Sequence, residues 1–393
     1  MNDFVFHTPT KVVFGKGTED QVGALVKEQG GTKVLVHFGG SSAKKSGLLD
    51  RVCASLEQAG IPYVTLGGVV PNPLLSLVYQ GIDLCKKEGV DFILAVGGGS
   101  VIDSSKAIGY GLANDFDVWD LFDRKNTATG CAPIGAVLTI AAAGSEMSDS
   151  TVITKDEGML KRGYNSSYCR CRFAVMDPEL TYTLPAYQTA SGVTDIMMHI
   201  LERYLVKEET MEVTDTMAEA VLRAVRKYGA ILRDDPKNYK ARAEIMWAGS
   251  LAHNGLLNCG GPVGDWASHQ IEMELSGMFG VAHGAGLAAV WGSWARYVLD
   301  EKPERFAQLA HNVCGVADSG DARADALKGI ENMEDFFRSI HMPTNIRELG
   351  IDPLTEEQIE ELAEKCTYFG QRTVGRFKVL QKEDLKAIYR MAR

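Results

Sequence analysis

Up to about residue 183 the chain alternates short apolar runs with longer segments of helical periodicity. The runs 33–38, 61–66, 91–96 and 132–138 read as strands, and 43–58, 73–88 and 99–109 read as helices between them. The run 91–96 is apolar almost throughout, as a parallel strand covered on both faces must be. This alternation predicts an α/β fold with a doubly wound parallel sheet. Past about residue 185 the rhythm changes. Segments 186–205, 210–233, 237–257, 264–276, 284–299, 303–314, 322–340, 355–366 and 381–392 all carry helical periodicity. Strong helix formers with charges at i, i+4, such as Glu219 and Arg223, dominate there. The expected division is an α/β domain over 1–183 and an all-helical domain over 184–393. Residues 4–14 read as two extended runs broken at Pro9. With no local core to join, this N-terminal ribbon is expected to pair with another chain, giving a homodimer.

Composition narrows the classes. A length of 393 residues favours two cores over one, and 45% hydrophobic with 23% charged residues is that of a globular chain. A formal charge of −10 argues against nucleic acid or an anionic membrane as partner. The first residues show neither a basic nor an apolar signal segment. The stretch 275–295 lacks Asp, Glu, Lys and Arg, but five glycines, two serines and His283 within it predict a buried helix start instead of a membrane span. Eight cysteines without a CxxC pair fit neither a disulfide framework nor a zinc knuckle, so a cytoplasmic location is expected. Cys169 and Cys171 alternate in what reads as a strand, on one buried face.

The candidate chemistry starts at residues 192–199, Gly-Val-Thr-Asp-Ile-Met-Met-His. Asp195 and His199 lie at i, i+4 and project from one face of a helix. His269 and His283 would close a site from two further helical segments. One oxygen and three imidazole nitrogens suit Fe²⁺ or Zn²⁺ better than Ca²⁺ or Mg²⁺. An Asp–His pair at this spacing is also an ordinary helix contact, and spacing alone leaves both readings open. Two glycine-rich turns follow strands and open helices: Gly39-Gly40-Ser41-Ser42, and Gly97-Gly98-Gly99-Ser100 with Asp103 one turn on. Free N–H groups at such a turn can cradle a phosphate, although tight strand-to-helix turns without a ligand look the same. Neither turn matches the usual dinucleotide or mononucleotide fingerprint. Small residues at 139–147 would let a flat ring lie close to the backbone, and Lys161 beyond them is either a phosphate or ribose contact or a solvated lysine.

These motifs together resemble the iron-containing (group III) alcohol dehydrogenases, in particular their butanol dehydrogenase and aldehyde reductase branch. The resemblance runs from the strand at Phe14-Gly15 through the helix after His283. Asp195-x₃-His199, His269 and His283 stand where that family places its metal ligands; residues 177–185, Asp-Pro-Glu-Leu-Thr-Tyr-Thr-Leu-Pro, and His283-Gly-x-Gly-Leu resemble its signatures. The resemblance implies a dehydroquinate synthase-like fold, with a dinucleotide-binding domain, a helical metal-binding domain and a cleft between them. It further implies hydride transfer between NADP(H) or NAD(H) and a small alcohol or aldehyde, with Fe²⁺ or Zn²⁺ as Lewis acid. Among the cofactor contacts it implies are Gly39, Gly40, Ser42, Gly98, Gly99, Ser100, Asp103, Thr139, Ser145, Asp149, Lys161, Leu180, Thr183 and Leu184. The acid that selects NAD in related sequences would stand at Gly40. Its absence, with Lys44 and Lys45 nearby, points to NADPH. The chain departs from the family twice. Met273 stands where many members carry a histidine, and a thioether cannot transfer a proton. Ala142 and Ala143 replace residues of the segment Thr-x-x-Ala-Gly-Thr-Gly-Ser-Glu. A metal-dependent lyase or cyclase of the dehydroquinate synthase type is the alternative; that family uses a Glu and two His, which fits Asp195 with three histidines less well.

Overall fold

The structure, a computed structural model, describes residues 1–393. Its chain divides into two compact units, His7–Thr183 and Leu184–Arg393, the latter joined by Met1–Phe6. Asn2 explains that last grouping: its backbone N–H donates to the Gly260 carbonyl and its side-chain amide to that of Gly261.

The first unit is built on a six-stranded parallel sheet in the order β1-β8-β5-β4-β2-β3. Its strands are β1 (Lys11–Phe14), β2 (Val34–Phe38), β3 (Tyr63–Leu66), β4 (Phe92–Gly97), β5 (Ile134–Leu138) and β8 (Phe173–Met176). Every residue of β2, β4, β5 and β8 is buried, as helices on both faces require. Val34, Val36 and Phe38 of β2 and Phe92, Leu94 and Val96 of β4 share one core with α1 (Val22–Glu28) and α3 (Leu48–Gln58). The helices α4 (Leu75–Glu88) and α5 (Gly99–Ala113) pack together, where a Cβ on Gly111 would overlap the Ile82 side chain. The expected helix 43–58 is two pieces, α2 (Ser42–Lys45) and α3, because Gly47 between them is left-handed (φ 70). A four-residue helix, α6 (Trp119–Phe122), precedes β5.

Three elements correct the sequence reading. β1 pairs with β8, Val12 opposite Ala174, so half of the N-terminal ribbon does have a local sheet to join. An antiparallel pair, β6 (Ser150–Lys155) and β7 (Leu160–Asn165), stands apart from the main sheet. Cys169 lies in a short 3-10 turn and Cys171 precedes β8, so neither is in a strand, although both are buried.

The second unit is helical: α7 (Ala186–Tyr204), α8 (Glu212–Asp234), α9 (Tyr239–His253), α10 (Ala267–Phe279), α11 (His283–Val298), α12 (Pro303–Asn312), α13 (Ala322–Ser339), α14 (Glu356–Cys366) and α15 (Lys382–Ala392). α11 is its centre. It is buried nearly all round and packs against α7, α10, α13 and α15. Small residues permit that approach: a Cβ on Gly284 would overlap the Ser191 carbonyl of α7, and one on Gly286 would come within 2.7 Å of Glu272 Oε1 on α10. No helix is long and apolar enough to cross a membrane.

Candidate metal centre and dinucleotide turn

The close contact of α7, α10 and α11 brings Asp195, His199 and His269 together, with His283 beside Asp195. Asp195 and His199 come from the middle of α7, His269 from the first turn of α10, and His283 is the first residue of α11. Asp195 Oδ1 lies 3.8 Å from His269 Nε2 and 3.7 Å from His283 Nε2. The ligand atoms of Asp195, His199 and His269 all lie within 4.8 Å of one another.

Each imidazole is fixed through its other nitrogen. His199 Nδ1 donates to the Asp195 carbonyl at 2.9 Å, His269 Nδ1 to Glu202 Oε1 at 2.9 Å, and His283 Nδ1 to Glu272 Oε2. Nδ1 therefore carries a proton in all three, and Nε2 is the atom that His269 and His283 turn toward Asp195. Metal-binding histidines are oriented in this way. Asp195 Oδ1 and His269 Nε2 are both buried without a hydrogen-bond partner. Such orphaned polar atoms are costly unless something else satisfies them.

The electrostatics call for a cation. Asp195, Glu202 and Glu272 are all buried. Burial alone would raise Asp195, but His199 and His283 hold its carboxyl well below the usual carboxylate range. Burial pushes His199 down to about 4 against the pull of Asp195. Burial also opposes charge on His269, yet Asp195 and Glu202 outweigh it and lift that imidazole to about 9. Asp195 and Glu202 thus favour a positive charge beside them, as a proton on His269 or as an ion in its place.

Four contributors, Glu202, Glu272, Asp265 and His253, escaped the sequence reading. Glu202 follows Asp195 by seven residues and His199 by three on the same face of α7, and Glu272 follows His269 by three on α10. That periodicity was the available signal. Asp265 caps the start of α10, accepting from the N–H groups of Ala267 (3.0 Å), Arg376 (2.6 Å) and Phe377 (2.5 Å). Trp266 there adopts φ 63, and its ring centroid lies 5.3 Å from that of His269. His253, at the end of α9, has its ring centroid 4.1 Å from that of His199, the two rings tilted by 32°. Met273 is half-buried on α10.

The first unit gathers the other candidates at the carboxyl ends of neighbouring strands. β2 and β4 are adjacent, and the chain leaves β2 for β3 on one side and returns to β4 on the other, the switch point where open sheets bind ligands. Gly39 and Gly40 follow β2; Gly98 and Gly99 follow β4, and Thr139 follows β5 with its N–H donating to the Gly97 carbonyl. α5 begins at Gly99 and Ser100 without a side-chain cap. A Cβ on Gly98 would come within 2.9 Å of Ile140, and one on Gly99 within 3.3 Å of Ala143, so these glycines let the 139–143 turn lie against α5. A Cβ on Gly40 meets nothing within 4 Å. Ser42 opens the single turn α2, and Lys44 lies 5.2 Å from the Phe38 ring centroid. Asp103 accepts from Ser145 Oγ and the Val152 N–H, Asp149 pairs with Arg170 at 3.3 Å, and Lys161 is buried on β7. Leu180 packs on the core of this unit, while Thr183 ends it and Leu184 begins the next.

Comparison with known proteins follows the same division. The family described as iron-containing alcohol dehydrogenase matches residues 9–178, and the Fe-containing alcohol dehydrogenase family, C-terminal, matches residues 189–393. The chain is 39% identical to NADH-dependent butanol dehydrogenase A of Clostridium acetobutylicum over 99% of each chain. It is 35% identical to the NADPH-dependent aldehyde reductase YqhD of Escherichia coli over 100% of each. The crystal structure of NADH-dependent butanol dehydrogenase A from Thermotoga maritima superposes with a TM-score of 0.95 at 38% identity, covering 100% of this chain and 99% of that one.

Proposed function

We propose that this chain, which belongs to the iron-containing alcohol dehydrogenase family, reduces short-chain aldehydes with NADPH at a divalent ion held by Asp195, His199, His269 and His283. By its family the protein is an oxidoreductase of the alcohol dehydrogenase and aldehyde reductase kind, using a nicotinamide dinucleotide and a divalent metal. The observation that carries the ligand assignment is the pair of buried, unpartnered atoms, Asp195 Oδ1 and His269 Nε2, that face each other at 3.8 Å. The oxygen–nitrogen donor set fits Fe²⁺ or Zn²⁺.

When bound, the ion polarises the substrate oxygen and the reduced nicotinamide supplies the hydride. The protein's own residues prepare that step. Glu202 and Glu272 hold His269 and His283 by Nδ1, so that both Nε2 atoms aim at one point. The burial of Asp195, His199 and His269 keeps water from competing for their ligand atoms. Met273 offers no exchangeable proton, so the proton for the product alkoxide arrives by another group.

For the dinucleotide, the Gly98–Ser100 turn at the uncapped start of α5 receives phosphate, with Gly39, Gly40, Ser42, Thr139, Ser145, Asp149, Lys161, Leu180, Thr183 and Leu184 as further contacts. Preference for NADPH is supported by the open space at Gly40 and by Lys44 and Lys45 on α2. A homodimer is supported by Phe4, Val5 and Phe6, apolar and 52%, 96% and 40% exposed, and separately by the open edge that β1 gives its sheet. Eight free cysteines fit a reducing cytoplasm, and the charge of −10 fits neither nucleic acid nor an anionic membrane as partner.

Initial rates with butyraldehyde test the cofactor assignment. The expected kcat/KM is higher with NADPH than with NADH, and Gly40→Asp should lower the NADPH value by about tenfold or more through like-charge repulsion while sparing NADH. A wild type that prefers NADH, or a variant that loses both equally, overturns it.

A further inference from the structure

Asp103 and Lys106 stand one turn apart on α5, the helix that opens at Gly99. Lys106 is wholly buried, and its Nζ donates to the Ser148 carbonyl (3.0 Å), the Ser150 carbonyl (2.8 Å) and Ser148 Oγ (3.3 Å). Asp103 accepts from Ser145 Oγ at 2.5 Å and from the Val152 N–H at 3.0 Å. Two charged side chains of one helix therefore hold residues 145, 148, 150 and 152. The segment they hold runs over 139–152: residues 139–149 have no helix or strand of their own, Ser150 and Val152 open β6, and the Ile140-Ala-Ala-Ala-Gly144 stretch brings few side chains with which to fix its path.

A buried ammonium is an expensive way to fill space, because an apolar side chain of similar volume avoids the desolvation cost. What the ammonium adds is direction: three donors in set positions specify the course of irregular backbone. That backbone lies against Gly98 and Gly99, whose missing Cβ atoms make room for Ile140 and Ala143.

We propose that Lys106, with Asp103 as its partner, is a positioning residue for the dinucleotide: it locks the segment 139–152 against the Gly98–Ser100 turn, so that both walls of the cofactor site form a fixed cradle before the cofactor arrives. This rests on the dinucleotide reading of that turn. Asp103 is a cofactor contact by the family resemblance, but both of its oxygens, like the Nζ of Lys106, are engaged by the segment itself, so its role here is to hold that segment.

The test compares wild type with Lys106→Met, which keeps the volume and removes the donors. NADPH and NADH dissociation constants are read by nicotinamide fluorescence, bound metal by elemental analysis, and local order by hydrogen exchange. The expected result is a rise of about tenfold or more in the NADPH dissociation constant, the scale on which loss of positioning acts. Bound metal should stay at the wild-type level and faster exchange should be confined to 139–152. Should Lys106→Met fail to fold, Lys106→Gln keeps two N–H donors in place of three and should weaken NADPH by about threefold. A folded variant that binds NADPH like wild type overturns the proposal, as does faster exchange spread evenly through β4, β5 and α5. Wild type that binds neither dinucleotide refutes the dinucleotide reading itself, a result separate from any difference between variant and wild type.

Discussion

His269 shows how one residue is made to serve a site. Glu202 Oε1 accepts both its backbone N–H (3.0 Å) and its Nδ1–H (2.9 Å), which fixes the ring and leaves Nε2 facing Asp195. Glu202→Gln removes the charge that raises the basicity of this imidazole. Loss of such an outer carboxylate weakens metal binding by about 10- to 100-fold, so the variant should lose its ion to a competing chelator at correspondingly lower chelator concentration. Retention equal to wild type would show that Glu202 does not support a ligand. At this scale the sequence was legible where chemistry is concentrated in rare residue types: Asp195 and His199 stood out by spacing. Glu202 and Glu272 carried the same periodicity, but glutamates on helices are usually solvated, and what sets these two apart is a contact with an imidazole Nδ1 that only the folded structure displays.

Among elements, the contact of α7 with α11 decides whether the four side chains meet. Gly284→Ala would drive a methyl group into the Ser191 carbonyl, a backbone atom that cannot rotate away. The helices must then separate. The expected cost is about 1–3 kcal/mol of stability, read from the denaturation midpoint, together with reduced metal content, because His283 is the neighbouring residue. Unchanged stability and metal content would contradict the tight packing. Most helices of the second unit could be read from periodicity because each buries one face along its own length, while α11, buried nearly all round, could be read as a long apolar run interrupted by glycines. Pairings between distant segments could not. β1 finds β8 about 160 residues later, which no local pattern announces. β7 was not expected as a strand; it carries Lys161 and Arg162, and both are buried on it where it pairs with β6. The Gly47 break between α2 and α3 was missed for a similar reason: an isolated glycine is tolerated within many helices.

Across the whole molecule, His37 ties stability to pH. It is buried in β2, its Nδ1 donating to the Leu66 carbonyl at 2.8 Å and its Nε2 accepting from Ser104 Oγ at 2.9 Å, so it folds as the neutral form. Burial pushes it from 6.5 down to about 4. Between those values the unfolded chain binds the proton and the folded one does not. Stability from this group is therefore complete above pH 6.5 and falls as pH drops toward 4. Between pH 7 and pH 5 the loss should be about 2 kcal/mol, and His37→Gln, which can keep both hydrogen bonds, should lose less over the same interval; identical pH dependence would contradict this. The central claim concerns the other unit and is tested most directly by counting metal. Wild-type protein is expected to carry one Fe²⁺ or Zn²⁺ per chain and to lose butyraldehyde-dependent NADPH oxidation when a chelator removes it. His199→Ala and His283→Ala should hold little or no ion and show little turnover. Folded variants that retain both the ion and the wild-type kcat would contradict the assignment of Asp195, His199, His269 and His283 as the metal centre.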